Sequence, residues 1–212
     1  MKKNYCDITV IIDRSGSMSN LTHDVIGGFN TFVKEQKEVK GTATLSLVQF
    51  DDQYEVNYIA KDIQDVEDLT TDTYVPRGWT ALCDAIGKTV VTTDERIRKM
   101  KKKKRPEKVV ILIQTDGYEN ASTEYTSDKL KELVKQKEKN DWEFIFLGAN
   151  IDALDTAVNM GIKASNAMTY NATSKGQTNA FASVSSNISN YRSGSVGSTS
   201  FTTEDKAKQS NE

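Results

Sequence analysis

The sequence predicts an α/β fold: a doubly wound, mostly parallel sheet of six strands with helices on both faces. Three observations predict it. Strand-type and helix-type patterns alternate along most of the chain. Two runs, Ile8-Thr9-Val10-Ile11-Ile12 and Val109-Val110-Ile111-Leu112-Ile113, are apolar nearly throughout, as strands buried on both faces require. Two early strand patterns over 42–60 are joined by the turn signal Asp51-Asp52-Gln53, which places one antiparallel strand at a sheet edge.

Residues 5–12 read as the first buried strand. A helix follows over 19–38, with Leu21, Val25, Phe29, Phe32 and Val33 spaced by three and four and with Lys34, Glu35, Lys37 and Glu38 toward water. Gly41 stands where a helix stop is expected. In the hairpin, Leu45, Leu47 and Phe50 are assigned to one face and Val48 to the other. Residues 62–79 are a polar connection. A helix is expected from about Thr80 to Lys102, with Leu82, Ile86, Val90 and Ile97 apolar, and Pro106 marks its end. After the strand at 109–113 come a helix at 126–139, a buried strand at 142–147, a short helix at 152–160, a weak strand at 164–170 and a last helix at 174–191. The domain is expected over 1–192. From Ser193 to Glu212 the composition turns to Ser, Gly, Thr and charged residues, and a disordered tail is expected.

Composition narrows the function. Among 212 residues, 28 basic and 30 acidic side chains nearly cancel, so the surface as a whole is not built for nucleic acid. No apolar run approaches the roughly 20 residues of a membrane span, and the N-terminus does not read as a signal peptide. Cys6 and Cys83 show no metal-type spacing and read as reduced core thiols of a cytoplasmic protein.

The informative loop is Asp13-Arg14-Ser15-Gly16-Ser17, directly after the first strand. It presents one carboxylate and two hydroxyls at alternating positions, oxygen donors suited to a small hard cation. Sheets of this kind bind ligands beyond the carboxyl ends of their strands, where strand order reverses. Two further segments bring oxygens to such places: Thr80, after the Gly78-Trp79 turn, and Asp116, after the strongest strand.

Asp13-x-Ser15-x-Ser17, then Thr80, then Thr115-Asp116-Gly117 resembles the metal-ion-dependent adhesion site of von Willebrand factor A domains. The resemblance covers about residues 4–170. It implies a Rossmann-like sheet with one antiparallel edge strand. It also implies a metal set of Asp13, Ser15, Ser17, Thr80 and Asp116, holding Mg2+, with Mn2+ or Ca2+ as alternatives. Ser15 and Ser17 would bind through their hydroxyls, and Thr80 directly or through water. Asp13 and Asp116 would act through waters or directly. The function implied is non-enzymatic: the metal recruits a glutamate or aspartate of a protein partner, within an intracellular bacterial or phage assembly. Movement of the Thr80 loop and the last helix would switch the site.

Other readings stand beside it. A Mg2+-dependent phosphoester hydrolase would use Asp13, but the position two residues on, where such enzymes carry a second aspartate, is Ser15. A nucleic-acid binder would use the basic run Lys99, Lys101–Lys104 and Arg105, which otherwise serves a helix C-terminus. Arg14 either reaches an acidic partner or is a solvated loop residue. Asp51 and Asp52 read as turn formers. Glu119 and Asn120 are candidates for orienting metal-bound water, His23 reads as a surface residue, and Trp79 is assigned to core packing over the rim of the crevice.

Overall fold

The computed structural model describes residues 1–209. Its strands are β1 (Lys2–Asp13), β2 (Thr42–Phe50), β3 (Tyr54–Asp62), β4 (Pro106–Thr115), β5 (Trp142–Ala149) and β6 (Ala167–Tyr170). They form one six-stranded sheet in the order β3-β2-β1-β4-β5-β6. Every pairing is parallel except β2–β3. The helices are α1 (Thr22–Glu38), α2 (Leu82–Lys99), α3 (Ser127–Glu138), α4 (Ala153–Asn159), α5 (Ser174–Ser193) and α6 (Thr203–Ala207).

Side-chain alternation along the strands builds two cores. Ile8, Val10 and Ile12 of β1 join Val110, Leu112, Ile145 and Leu147 beneath α1 and α5. Ile11 joins Ile111, Ile113, Phe144 and Phe146 beneath α2, α3 and α4. Each such side chain, once buried, contributes about 1.5–3 kcal/mol. In β2 the parity moves Phe50 to the side of Val48, not that of Leu45 and Leu47. Cys6 lies in the first core and Cys83 in the second, so the sheet separates the two thiols, and both are free. Burial pushes each thiol up to about 12.

Several boundaries differ from the sequence reading. The first helix opens as a tight 3-10 turn, Gly16–Leu21, before α1. The second helix is shorter than expected and ends at Lys99; Lys102–Lys104 form a separate turn. Pro106 begins β4, a strand's first position, where its missing N–H does no harm.

The segment after α5 is the larger correction. A disordered tail was expected from Ser193; through residue 209 the chain instead folds back onto the domain, and residues 210–212 lie outside the described residues. Thr199 donates from N and Oγ1 to the buried Glu143 carboxylate at 3.1 and 2.9 Å. Phe201 enters the first core, and Thr202 and Asp205 form a reciprocal cap on α6. Small polar residues hide this docking because its partners are distant in sequence. Phe201→Ala should lower stability by about 3 kcal/mol in urea unfolding; an unchanged midpoint would mean that the segment is not held.

Arg192, near the end of α5, is buried without a carboxylate partner among the described residues. Its guanidinium donates to Gln36 O at 2.7 Å, Gln36 Oε1 at 2.9 Å and Val39 O at 3.3 Å. These acceptors sit at the C-terminal end of α1, where carbonyl dipoles favour a cation.

Candidate metal centre

The chain leaves β1 toward β2 on one side and later lays β4 on the other. The crevice between the C-terminal ends of β1 and β4 is therefore the topological switch point. Asp13 ends β1 and Thr115 ends β4. Asp13 is fully buried. One of its oxygens accepts from Ser15 N at 2.6 Å and the other from Thr115 Oγ1 at 2.5 Å. Its own backbone carbonyl accepts from the hydroxyl of the buried Tyr74 at 2.7 Å.

The hydroxyls then connect across the crevice. Ser15 Oγ and Ser17 Oγ are 3.1 Å apart, and Ser17 Oγ donates to Asp116 Oδ1 at 2.6 Å. Gly117 shows where Thr80 joins. A Cβ placed on it would lie 3.2 Å from Thr80 Oγ1 and 3.9 Å from Ser17 Oγ. The structure thus brings Ser15, Ser17, Thr80 and Asp116 to one cradle, with Asp13 beneath it.

Thr80 is held from both directions. Its N–H donates to Asn120 Oδ1 at 2.9 Å, and its carbonyl accepts from Asn120 N at 3.1 Å. Upstream, Gly16 N donates to Gly78 O and Arg77 N to Arg14 O, stitching this loop to the exit of β1. Gly78 has φ +68°, and a Cβ there would strike Asp52 Oδ1 at 2.1 Å, so the turn requires glycine.

Several weighed residues change role. Arg14 does not reach over the crevice. It is buried, with Nε 3.2 Å from Asp51 Oδ2 and Nη1 2.7 Å from Glu55. Asp51 is more than a turn former: fully buried, it also holds Arg77 Nε at 2.9 Å and accepts from Gln53 N at 2.6 Å. Asn120 positions Thr80. Trp79, assigned to the core, is 68 % exposed. His23 is exposed and lines a groove between α1 and α5, away from the crevice.

Glu119 caps α2. Its carboxylate accepts from Cys83 N at 2.6 Å, Ala121 N at 2.9 Å, Ser122 N at 2.7 Å and Ser122 Oγ at 2.6 Å. In return, Asp84 on α2 accepts from the N–H groups of residues 123–125. Burial alone would push Glu119 up, but these hydrogen bonds outweigh it and hold the carboxyl below its ordinary value. A depressed folded-state value means stability present above the ordinary glutamate range and lost as pH falls below it. Glu119→Gln should therefore cost about 1 kcal/mol at neutral pH, discounted for partial exposure, and flatten the acid limb of stability. An acid limb identical to the parent's would contradict this.

The cradle fits a hard dication. Burial pushes Asp13 up to about 6, with nearby Asp116 adding to the rise, and burial also pushes Asp116 above its ordinary value. Among the described residues no lysine or arginine forms an ion pair with either. Two close carboxylates lacking a cation, ringed by three neutral hydroxyls, make an all-oxygen donor set. Among the described residues no group of three or more His, Cys, Asp or Glu side chains is placed to hold a metal, so any cation here depends on the hydroxyls.

Known proteins share this architecture. The proximal thread matrix protein 1 of the mussel byssus superposes with a TM-score of 0.61 at 15 % identity, over 87 % of this chain and 46 % of that one. Another structure of it, at TM-score 0.60, is described as having a zinc-occupied MIDAS motif. The von Willebrand factor domain of the pilus tip protein Mfa5 from Porphyromonas gingivalis gives a TM-score of 0.61 at 11 % identity, over 86 % of this chain and 94 % of that one. The pilus adhesin SpaC of Lactobacillus rhamnosus GG gives 0.66 at 12 % identity, over 89 % and 31 %. The chain thus spans less than half the length of the mussel protein. A comparison with curated protein sequences finds no match. The family model for the von Willebrand factor type A domain matches residues 7–190. The protein belongs to the von Willebrand factor type A domain family.

Proposed function

We propose that the protein is a non-enzymatic binding module whose crevice holds Mg2+, with Mn2+ or Ca2+ as alternatives, and captures an aspartate or glutamate of a protein partner. One observation carries this reading. Three hydroxyls and two carboxylates without ion pairs, from three separate segments, converge at the switch point of the sheet.

Ser15, Ser17 and Thr80 would bind through Oγ, Oγ and Oγ1, and Asp13 and Asp116 would balance charge. A dication held mainly by neutral hydroxyls supplies an electrophilic position for an anionic oxygen. The residues' work is to orient. Tyr74 and Thr115 fix Asp13, Asn120 fixes Thr80, and Asp116 holds Ser17 by its hydroxyl.

The alternatives lack such support. A hydrolase needs a base near Asp13; Ser15 occupies the second-aspartate position and His23 lies elsewhere. The basic run 99–105 precedes β4, at the opposite end of the sheet from the crevice. Among the described residues no helix is long and apolar enough to cross a membrane. The two free thiols, kept apart by the sheet, support a reducing cytoplasmic setting.

The test is affinity capture from host lysate in Mg2+ and in EDTA, with Thr80→Ala as a second bait. A partner retained in Mg2+ and lost under both other conditions is expected. Equal capture in EDTA would end the metal-bridged reading.

A further inference from the structure

Two large aromatic side chains stand in solvent beside the cradle. Trp79 is 68 % exposed and Tyr118 is 59 % exposed. Neither position is incidental to the site. Trp79 immediately precedes Thr80, and Tyr118 immediately follows Gly117, the residue whose Cβ position lies 3.2 Å from Thr80 Oγ1. One peptide step, about 3.8 Å, separates the Cα of Trp79 from that of Thr80, and two steps separate Tyr118 from Asp116. The two rings therefore leave from the two loops that meet at the cradle.

The Tyr118 ring and the backbone on either side of Trp79 are held in place. The Gly78 turn and its bond to Gly16 fix the chain entering Trp79, while the paired bonds between Thr80 and Asn120 turn Thr80 inward. Tyr118 Oη accepts from Asp152 N at 3.3 Å, which anchors the far end of that ring. Fixed aromatic surface loses little conformational entropy on contact and is enriched where binding energy concentrates.

Resting on the metal-bridged reading, we propose that Trp79 and Tyr118 select the partner: a protein segment whose acidic residue is flanked, within two positions, by an aromatic or branched aliphatic side chain. The dication of that reading, not the protein's own charge, places the acid at the cradle. The rings then bury the neighbouring apolar group and exclude water from the carboxylate contact. A purely acidic, polar segment would meet the cradle but leave both rings in water.

The test uses a bead library of hexapeptides with one central aspartate or glutamate and randomised flanks, screened with the full chain in excess Mg2+. Selected peptides are expected to carry an apolar flank. Trp79→Ala and Tyr118→Ala should each weaken the selected peptides about 30-fold, the effect of losing a central aromatic contact. Trp79→Phe should recover most of the loss. Mn2+ binding followed by electron paramagnetic resonance should stay unchanged in all three, and their unfolding temperatures should match the parent's.

The other outcomes separate two failures. Peptides bound equally in EDTA would overturn the metal-bridged reading itself. Metal-dependent peptides with polar flanks, or ones indifferent to both alanine variants, would overturn aromatic selection and leave the metal bridge standing. No enrichment over Asp13→Ala would overturn a short apolar-acidic segment as the ligand. A Mg2+-dependent dimer lost in Trp79→Ala would assign the surface to a second copy of this chain and overturn the proposal.

Discussion

Asp13→Asn is expected to remove the thermal stabilisation that the proposed Mg2+ site predicts for the parent protein, without weakening the metal-free fold. In the parent, Mg2+ at one hundred times its dissociation constant should add about 2.7 kcal/mol. For a chain of this size that raises the midpoint by about 5–10 °C. The asparagine oxygen still accepts from Ser15 N, and its amide NH2 donates to Thr115 Oγ1, whose own hydroxyl then donates to Gly117 O, so the loop geometry survives. It removes a buried negative charge that has no ion-pair partner, which is why EDTA-treated variant and parent should unfold at similar temperatures or with the variant higher. Differential scanning calorimetry with and without Mg2+ reads both effects. A variant that still shifted by several degrees in Mg2+ would take Asp13 out of the metal set.

Asp51→Ala should be the most damaging change outside the cradle. The carboxylate lies between Arg14 and Arg77 and holds the turn at Gln53, while the backbone carbonyl of Asp51 accepts from Ala81 N at 3.0 Å. Arg14 is buried, and Glu55, its remaining partner, is half-exposed. Leaving a buried guanidinium so weakly paired costs about 3 kcal/mol. The loss should also reach the metal, because Asp51 fastens both the exit of β1 and the loop that carries Thr80. Removing such supporting contacts typically weakens metal affinity about tenfold. Urea unfolding and Mn2+ titration measure the two losses separately. A stability loss with unaltered Mn2+ affinity would mean that the loop holds its shape without this anchor.

Much of the candidate site was legible because the oxygens it gathers mark themselves locally. Asp13, Ser15 and Ser17 follow an apolar strand, Asp116 follows another, and Thr80 follows a Gly-Trp turn. The fold was legible for the same reason: parity along 8–12 and 109–113 fixes two buried faces. What escaped was set by pairings remote in sequence. Arg14 looks like a free loop cation until β3 brings Glu55 beside it. Glu119 looks like an orienter of metal-bound water until α2 presents Cys83 N and claims it. Tyr74, in a polar connection, gives no local sign that its hydroxyl will reach Asp13 O. Residues 194–209 were misread because flexible composition says nothing of Phe201 finding a core. Trp79 was misread because bulk suggests burial, whereas the bond network around Gly78 and Thr80 faces it outward.

The seat of Arg192 bears on how the last helix can travel. If α5 slid by one turn, about 5.4 Å, the guanidinium would leave all three of its carbonyl acceptors and stand uncompensated in an apolar interior. That penalty amounts to several kcal/mol. At mid-helix, Gly28 of α1 packs so closely against Phe181 that an added methyl would sit 2.7 Å from the ring. The helix is keyed into its slot like a bolt with a lug. Long strokes are blocked, and only small tilts or a concerted withdrawal of Arg192 remain.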